Sequence, residues 1–133
     1  MPLLAAAVLP HPPVLVPEVA AGAATELGLR LLDRRSVGML TMGDGSACRT
    51  LTAPGYLDPH AEPFDTSVTK ALGDADPAAL LALDPVLGTE LMAAGRAPWQ
   101  VLAGAAAASF HGAVRYDAAR YGVQYTVATW LPR

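Results

Sequence analysis

The chain has 133 residues, 53% of them apolar and 16% charged, with nine basic and twelve acidic residues for a net charge of −3. That composition supports one domain with a packed core, residues 1–133 as a single unit, and argues against a disordered segment. No basic stripe runs along it, so nucleic acid is not an expected partner.

Leu3 to Val8 reads as a buried strand, a short apolar run ended by prolines. Residues 9 to 18 hold four prolines and cannot be helical, so they form an extended loop leaving that strand. Neither Leu3 to Leu9 nor the apolar stretch Val101 to Phe110 has the length of a membrane span, and no basic residue precedes the first as in a signal peptide. No membrane partner is expected, and the cytoplasm is the default location. Ala20 to Leu32 has helical composition, and the charges from Arg30 to Arg35 read as its solvated end. Val37 to Thr41 reads as a second buried strand, and strand, helix, strand predicts a crossover and a parallel pair.

From Gly43 to Pro63 the chain is rich in Gly, Asp, Pro and Thr, a loop long enough to carry function. Proline then marks helix starts and glycine helix ends. A first helix opens at Pro63, with Phe64, Val68 and Leu72 on one face, and ends at Gly73. Asp76 caps a short helix from Pro77, and Asp84 caps another from Pro85 that Gly95 closes. A fourth opens at Pro98 and runs through Trp99, Leu102, Ala106 and Phe110 to Gly112. The end reads as a β-hairpin, a short strand at Val114 to Tyr116 and an alternating one from Tyr121 to Trp130. The fold class is therefore α/β: helices covering a small mixed sheet, with parallel strands at the N-terminus and a hairpin at the C-terminus.

Several residues carry potential chemistry. His11, between prolines at the end of a strand, is where open α/β sheets place ligands, and a stiff loop would pre-organise its imidazole for a metal, while an exposed or hydrogen-bonded histidine is the plainer reading. Gly43-Asp44-Gly45-Ser46 puts short polar side chains after a second strand, either as a site beside His11 or as a turn capping its own backbone. Cys48 is the sole cysteine, so no internal disulfide forms; Arg49 beside it would lower its thiol pKa, while a structural thiol is the plainer reading. A triad of Asp44, Ser46 and His60 has no nucleophile elbow to support it, and the chain contains no Walker sequence. The three histidines, His11, His60 and His111, are widely spaced and form no contiguous metal motif.

Taken in order, Pro10-His11-Pro12-Pro13, Met42-Gly43-Asp44-Gly45-Ser46, Gly55-Tyr56, Phe64-Asp65, Leu83-Asp84-Pro85, Ala94-Gly95 and Tyr121-Gly122-Val123 resemble the class III extradiol ring-cleavage dioxygenase superfamily. The likeness is to its protocatechuate 4,5-dioxygenase beta-subunit and Memo-like branches, and most closely to an alanine-rich actinobacterial subunit-B-like subgroup. The resemblance implies a non-haem Fe(II) centre with His11 as first ligand and a pocket lined by Asp44, Ser46 and Tyr56. It also implies departures. The catalytic base aligns to Ala47 and the carboxylate ligand to Ala93, leaving Glu90 and His60 as the remaining candidate metal ligands. A methyl group takes no proton from a catechol. A central block between His11 and Asp44 is missing relative to the family, with its seam near Ala23 to Leu27, and lost strands would expose sheet edges. The expectation is a catalytically degenerate, dioxygenase-like protein that binds a small molecule or a partner and self-associates as a homo-oligomer. The alternatives are an active Fe(II) ring-cleavage dioxygenase with an atypical site using His11, His60 and Glu90, and a structural subunit paired with another chain.

Overall fold

The computed structural model describes residues 5–9, 14–15, 22–23, 25–26, 38–106 and 108–133. It is an α/β fold with helices packed on a C-terminal hairpin. Strands β1 (Ala5–Leu9), β2 (Val14–Leu15) and β3 (Gly38–Thr41) form one sheet in the order β2-β1-β3. Strands β4 (Phe110–Arg120) and β5 (Val123–Pro132) form a second, separate sheet.

The N-terminal pairing corrects the expected parallel strands. β1 pairs antiparallel with both β2 and β3, with Ala6 opposite Val14 on one side and Thr41 on the other. Residues predicted as loop include β2, so the chain has already reversed direction by Val14. β2 and β3 therefore run the same way, with β1 between them.

Helix α1 spans Ala61–Asp74 and buries Ala61, Phe64, Asp65, Val68, Ala71 and Leu72, the i, i+3, i+4 spacing of one helical face. It ends in left-handed Ala75, while the N–H of Asp76 bonds the Ala71 carbonyl at 2.9 Å. Gly73, expected as the terminator, lies inside the helix, where a Cβ would meet Val114 Cγ2 at 3.0 Å; on the facing strand a Cβ at Gly112 would lie 2.4 Å from the Gly73 carbonyl oxygen. Helices α2 (Pro77–Leu81) and α3 (Pro85–Glu90) start as predicted, Asp76 accepting from the Ala79 N–H at 3.1 Å and Asp84 from the Val86 N–H at 2.9 Å. Helix α4 (Arg96–Ala105) ends well before the expected Gly112, because Phe110 onward is claimed by ten cross-strand pairs with β5. Phe110 also meets the Trp130 ring at 5.9 Å.

The core lies among Phe64, Val68, Leu72, Leu80, Leu91 and Trp99, with Trp130 and Ala128 of β5 packed on it. One buried polar pair runs through it. Arg96 Nη1 donates to Gln100 Oε1 at 3.0 Å, and Gln100 Nε2 faces the carbonyls of Leu80 and Leu83 at 3.2 and 3.1 Å, satisfying the end of α2.

Candidate functional site

The described hairpin sets up the site. Its connection is Tyr121-Gly122, both at positive φ (54° and 79°), the geometry of a two-residue type I′ turn. A register shift between Val114 and Tyr116 bulges β4. Beyond the bulge the inward parity of β4 changes, so that Asp117, paired with Thr126, turns toward α1. There Asp117 Oδ1 accepts from Thr69 Oγ1 at 3.1 Å, from Thr126 Oγ1 at 3.2 Å, and from Gln124 Nε2.

Gly43 to Thr50 closes the other side. Gly45 N–H donates to the Gln124 carbonyl and Gln124 N–H to the Ser46 carbonyl, each at 2.9 Å, while Arg49 N–H reaches Gly122 O at 3.0 Å. Glycine is required at 45 by this approach, since a Cβ would sit 2.7 Å from Gln124 Cβ. Ser46, fully buried, gives both donors to one buried carboxylate: its N–H to Asp65 Oδ1 at 2.8 Å and its hydroxyl to Asp65 Oδ2 at 2.5 Å. Arg49 Nη1 lies 3.3 Å from Asp65 Oδ2 and donates to Gln124 Oε1 at 2.8 Å. A chain of polar contacts thus runs from the loop through α1 to the hairpin.

Over this chain opens a pocket of about 300 Å³, lined by Arg49, Glu62, Asp65, Thr69, Asp117 and Gln124, with Thr66, Ala118 and Ala119. Its volume is at the small end of small-molecule sites. Three carboxylates face one guanidinium, so it suits a small cationic, hydrogen-bonding ligand better than a flat apolar ring.

The residues singled out from sequence fall elsewhere. Ser46 is buried beneath the network, and neither it, Asp44 nor Tyr56 lines this pocket. Asp44 is exposed at the loop, where partial burial raises its carboxyl pKa, and its carbonyl accepts the Gly95 N–H at 2.7 Å. Tyr56 is 62% exposed on left-handed backbone (φ 62°). His60 is exposed and its Nδ1 lies 2.9 Å from Asp58 Oδ1; the His60 N–H at 2.8 Å, and then this ring contact, hold the Asp58 carboxyl pKa down. Glu90 is exposed at the end of α3. His11 lies outside the described residues. Among those described, no group of three or more His, Cys, Asp or Glu side chains is placed to hold a metal ion. Ala47 and Ala93, where the resemblance asks for a base and a carboxylate, are both buried methyl groups, so the described residues do not fit an iron centre.

Cys48 is the structural thiol of the two readings. It is buried, with Sγ 3.4 Å from the Leu91 carbonyl, and burial, then the Asp58 and Asp65 charges, push its pKa up despite Arg49 next door.

The residues that sequence reasoning missed are Asp65, Arg49, Gln124, Thr69 and Asp117. Asp65 left a trace: a carboxylate within the apolar stripe Ala61, Phe64, Val68, Leu72, where a charge survives only with partners. Among the described residues, no helix is long and apolar enough to cross a membrane. Searches for related proteins found no matching family model, no matching curated protein and no matching solved structure.

Proposed function

We propose that this chain is a catalytically degenerate, extradiol-dioxygenase-like protein that acts by binding a small molecule in the pocket between α1 and the hairpin. The observation that carries the reading is the use made of the Gly-Asp-Gly-Ser segment. Its serine is locked to Asp65, and the next residue, Ala47, donates its N–H to Leu91 O and accepts from Gly55 N–H, both at 2.9 Å. The segment holds the fold together and presents no proton acceptor at position 47.

What stays accessible is the neighbouring acidic pocket. Glu62 and Asp117 would meet an ammonium group, and the Thr66 and Thr69 hydroxyls neutral polar groups, with Arg49 fixing the opposite wall. Isothermal titration with a short diamine is the test. Binding is expected, weakened at least about tenfold (about 1.4 kcal/mol) by Asp117→Asn, which removes a charge and keeps the shape. No heat with the diamine, or equal affinity in Asp117→Asn, would refute the assignment.

A further inference from the structure

The hairpin has two faces, and the pocket uses one. Gly112, Asp117, Gln124, Thr126 and Trp130 turn inward; Trp130 Nε1 donates to Leu72 O at 2.6 Å. The opposite face carries Tyr116 (40% exposed), Tyr125 (37%), Val127 (53%) and Leu131 (60%), with Tyr116 directly across from Val127. Its charged side chains are Arg115 and Arg120. Arg115 Nε donates to Thr129 Oγ1 at 3.1 Å and Arg120 Nε to the Tyr116 hydroxyl at 2.8 Å, which holds both guanidiniums on this face. The one carboxylate of the two strands, Asp117, points the other way. Aromatic residues with arginine and no acid are the composition of an interface centre.

A second set of exposed apolar side chains is flanked in sequence by the opposite charge. Gly55 packs so close to Met92 that a Cβ there would lie 3.0 Å from Met92 Sδ, which brings the Gly55-Tyr56-Leu57 turn beside Met92. Tyr56, Leu57 and Met92 are 62%, 47% and 51% exposed, and Tyr56 and Met92 sit at positive φ (62° and 54°), a cost for bulky residues. The carboxylates bordering this cluster in sequence are Asp58 and Glu90.

We infer that a second copy of this chain seats the outward hairpin face of one molecule on the Tyr56-Leu57-Met92 cluster of the next, Arg115 and Arg120 meeting Asp58 and Glu90. Charge decides this occupant. A two-fold pairing of hairpin faces would set arginines against arginines, whereas a head-to-tail pairing sets them against carboxylates. The surface is independent of the pocket, which opens on the inward side, and neither assignment depends on the other.

Light scattering on the purified chain between about 1 and 100 µM tests it. The expected result is a mass that rises with concentration and falls in about 1 M salt, where charge pairs are screened. Arg115→Glu/Arg120→Glu and, separately, Asp58→Lys/Glu90→Lys should each shift self-association at least about tenfold toward monomer, with circular dichroism unchanged. Because Asp58 also holds His60, Glu90→Lys alone serves as a second cluster variant. Mixing the hairpin variant with a cluster variant should restore association, since each then supplies what the other lacks. A monomer throughout the range, variants that associate like the parent, or a mixture that stays monomeric would overturn the inference.

Discussion

Ser46 and Asp65 form a two-point lock: one carboxylate receives both the backbone N–H and the hydroxyl of one serine, nineteen residues away in sequence. Both residues are essentially inaccessible to solvent. Removing the carboxylate leaves two buried donors and the Arg49 guanidinium without it. Asp65→Ala is therefore expected to cost about 3–5 kcal/mol. Asp65→Asn, which keeps the shape but offers one acceptor oxygen in place of two, should cost less. Urea denaturation of the three proteins checks the order.

The Tyr121-Gly122 turn bears on the loop as well as on the hairpin. A Cβ at Gly122, already at φ 79°, would lie 2.4 Å from Ala53 Cβ and 2.6 Å from Thr50 Oγ1. Gly122→Ala should lose about 2–3 kcal/mol, from left-handed strain and overpacking together. A thermal melt shifted by less than a few degrees would show that the loop yields freely.

Placing a histidine at position 47, where the resemblance puts a catalytic base, is not expected to confer ring cleavage. Ala47 is only 7% exposed and its backbone is tied on both sides. Ala47→His must push a ring into packed surroundings, at about 1–3 kcal/mol. Oxygen uptake with catechol should remain at the level of the parent chain, and a rise above it would show an open site at this position.

Cys48 gives the pH dependence. Its pKa is raised in the folded chain, so the native state holds the thiol proton more tightly than the unfolded state. Stability is then fully present below the unfolded thiol range and falls as pH climbs from that range through the folded one. Urea midpoints of the parent should decline from about pH 8 to pH 10 more steeply than those of Cys48→Ala. Alkylation of the native thiol should be slow at about pH 8 and become fast on unfolding.

What was legible in the sequence was local. Asp-Pro pairs at 76–77 and 84–85 fix helix starts because cap and first turn are neighbours, and Phe64, Val68 and Leu72 mark the buried face of α1 by spacing alone. What was lost depended on distant partners. The directions of β1 and β3 turn on a two-residue strand hidden between prolines. The full length of β4 exists only through its ladder with β5, in a stretch whose alanines suit a helix equally well. The pocket needs a bulge at Val114 to Tyr116 to aim Asp117, and a bulge has no composition of its own here. Asp44, Ser46 and Tyr56 drew attention by motif, while the pocket was assembled from Arg49, Asp65 and Gln124, residues 16 to 75 apart along the chain.

The proposed function requires a chain that binds a small molecule and leaves aromatic rings intact. Anaerobic loading with Fe(II), removal of loose metal, and exposure to oxygen with catechol and protocatechuate tests it most directly. The expected result is oxygen consumption no greater than that of the buffer. Iron retained one to one, with ring-opened product that disappears in His11→Ala, would contradict it.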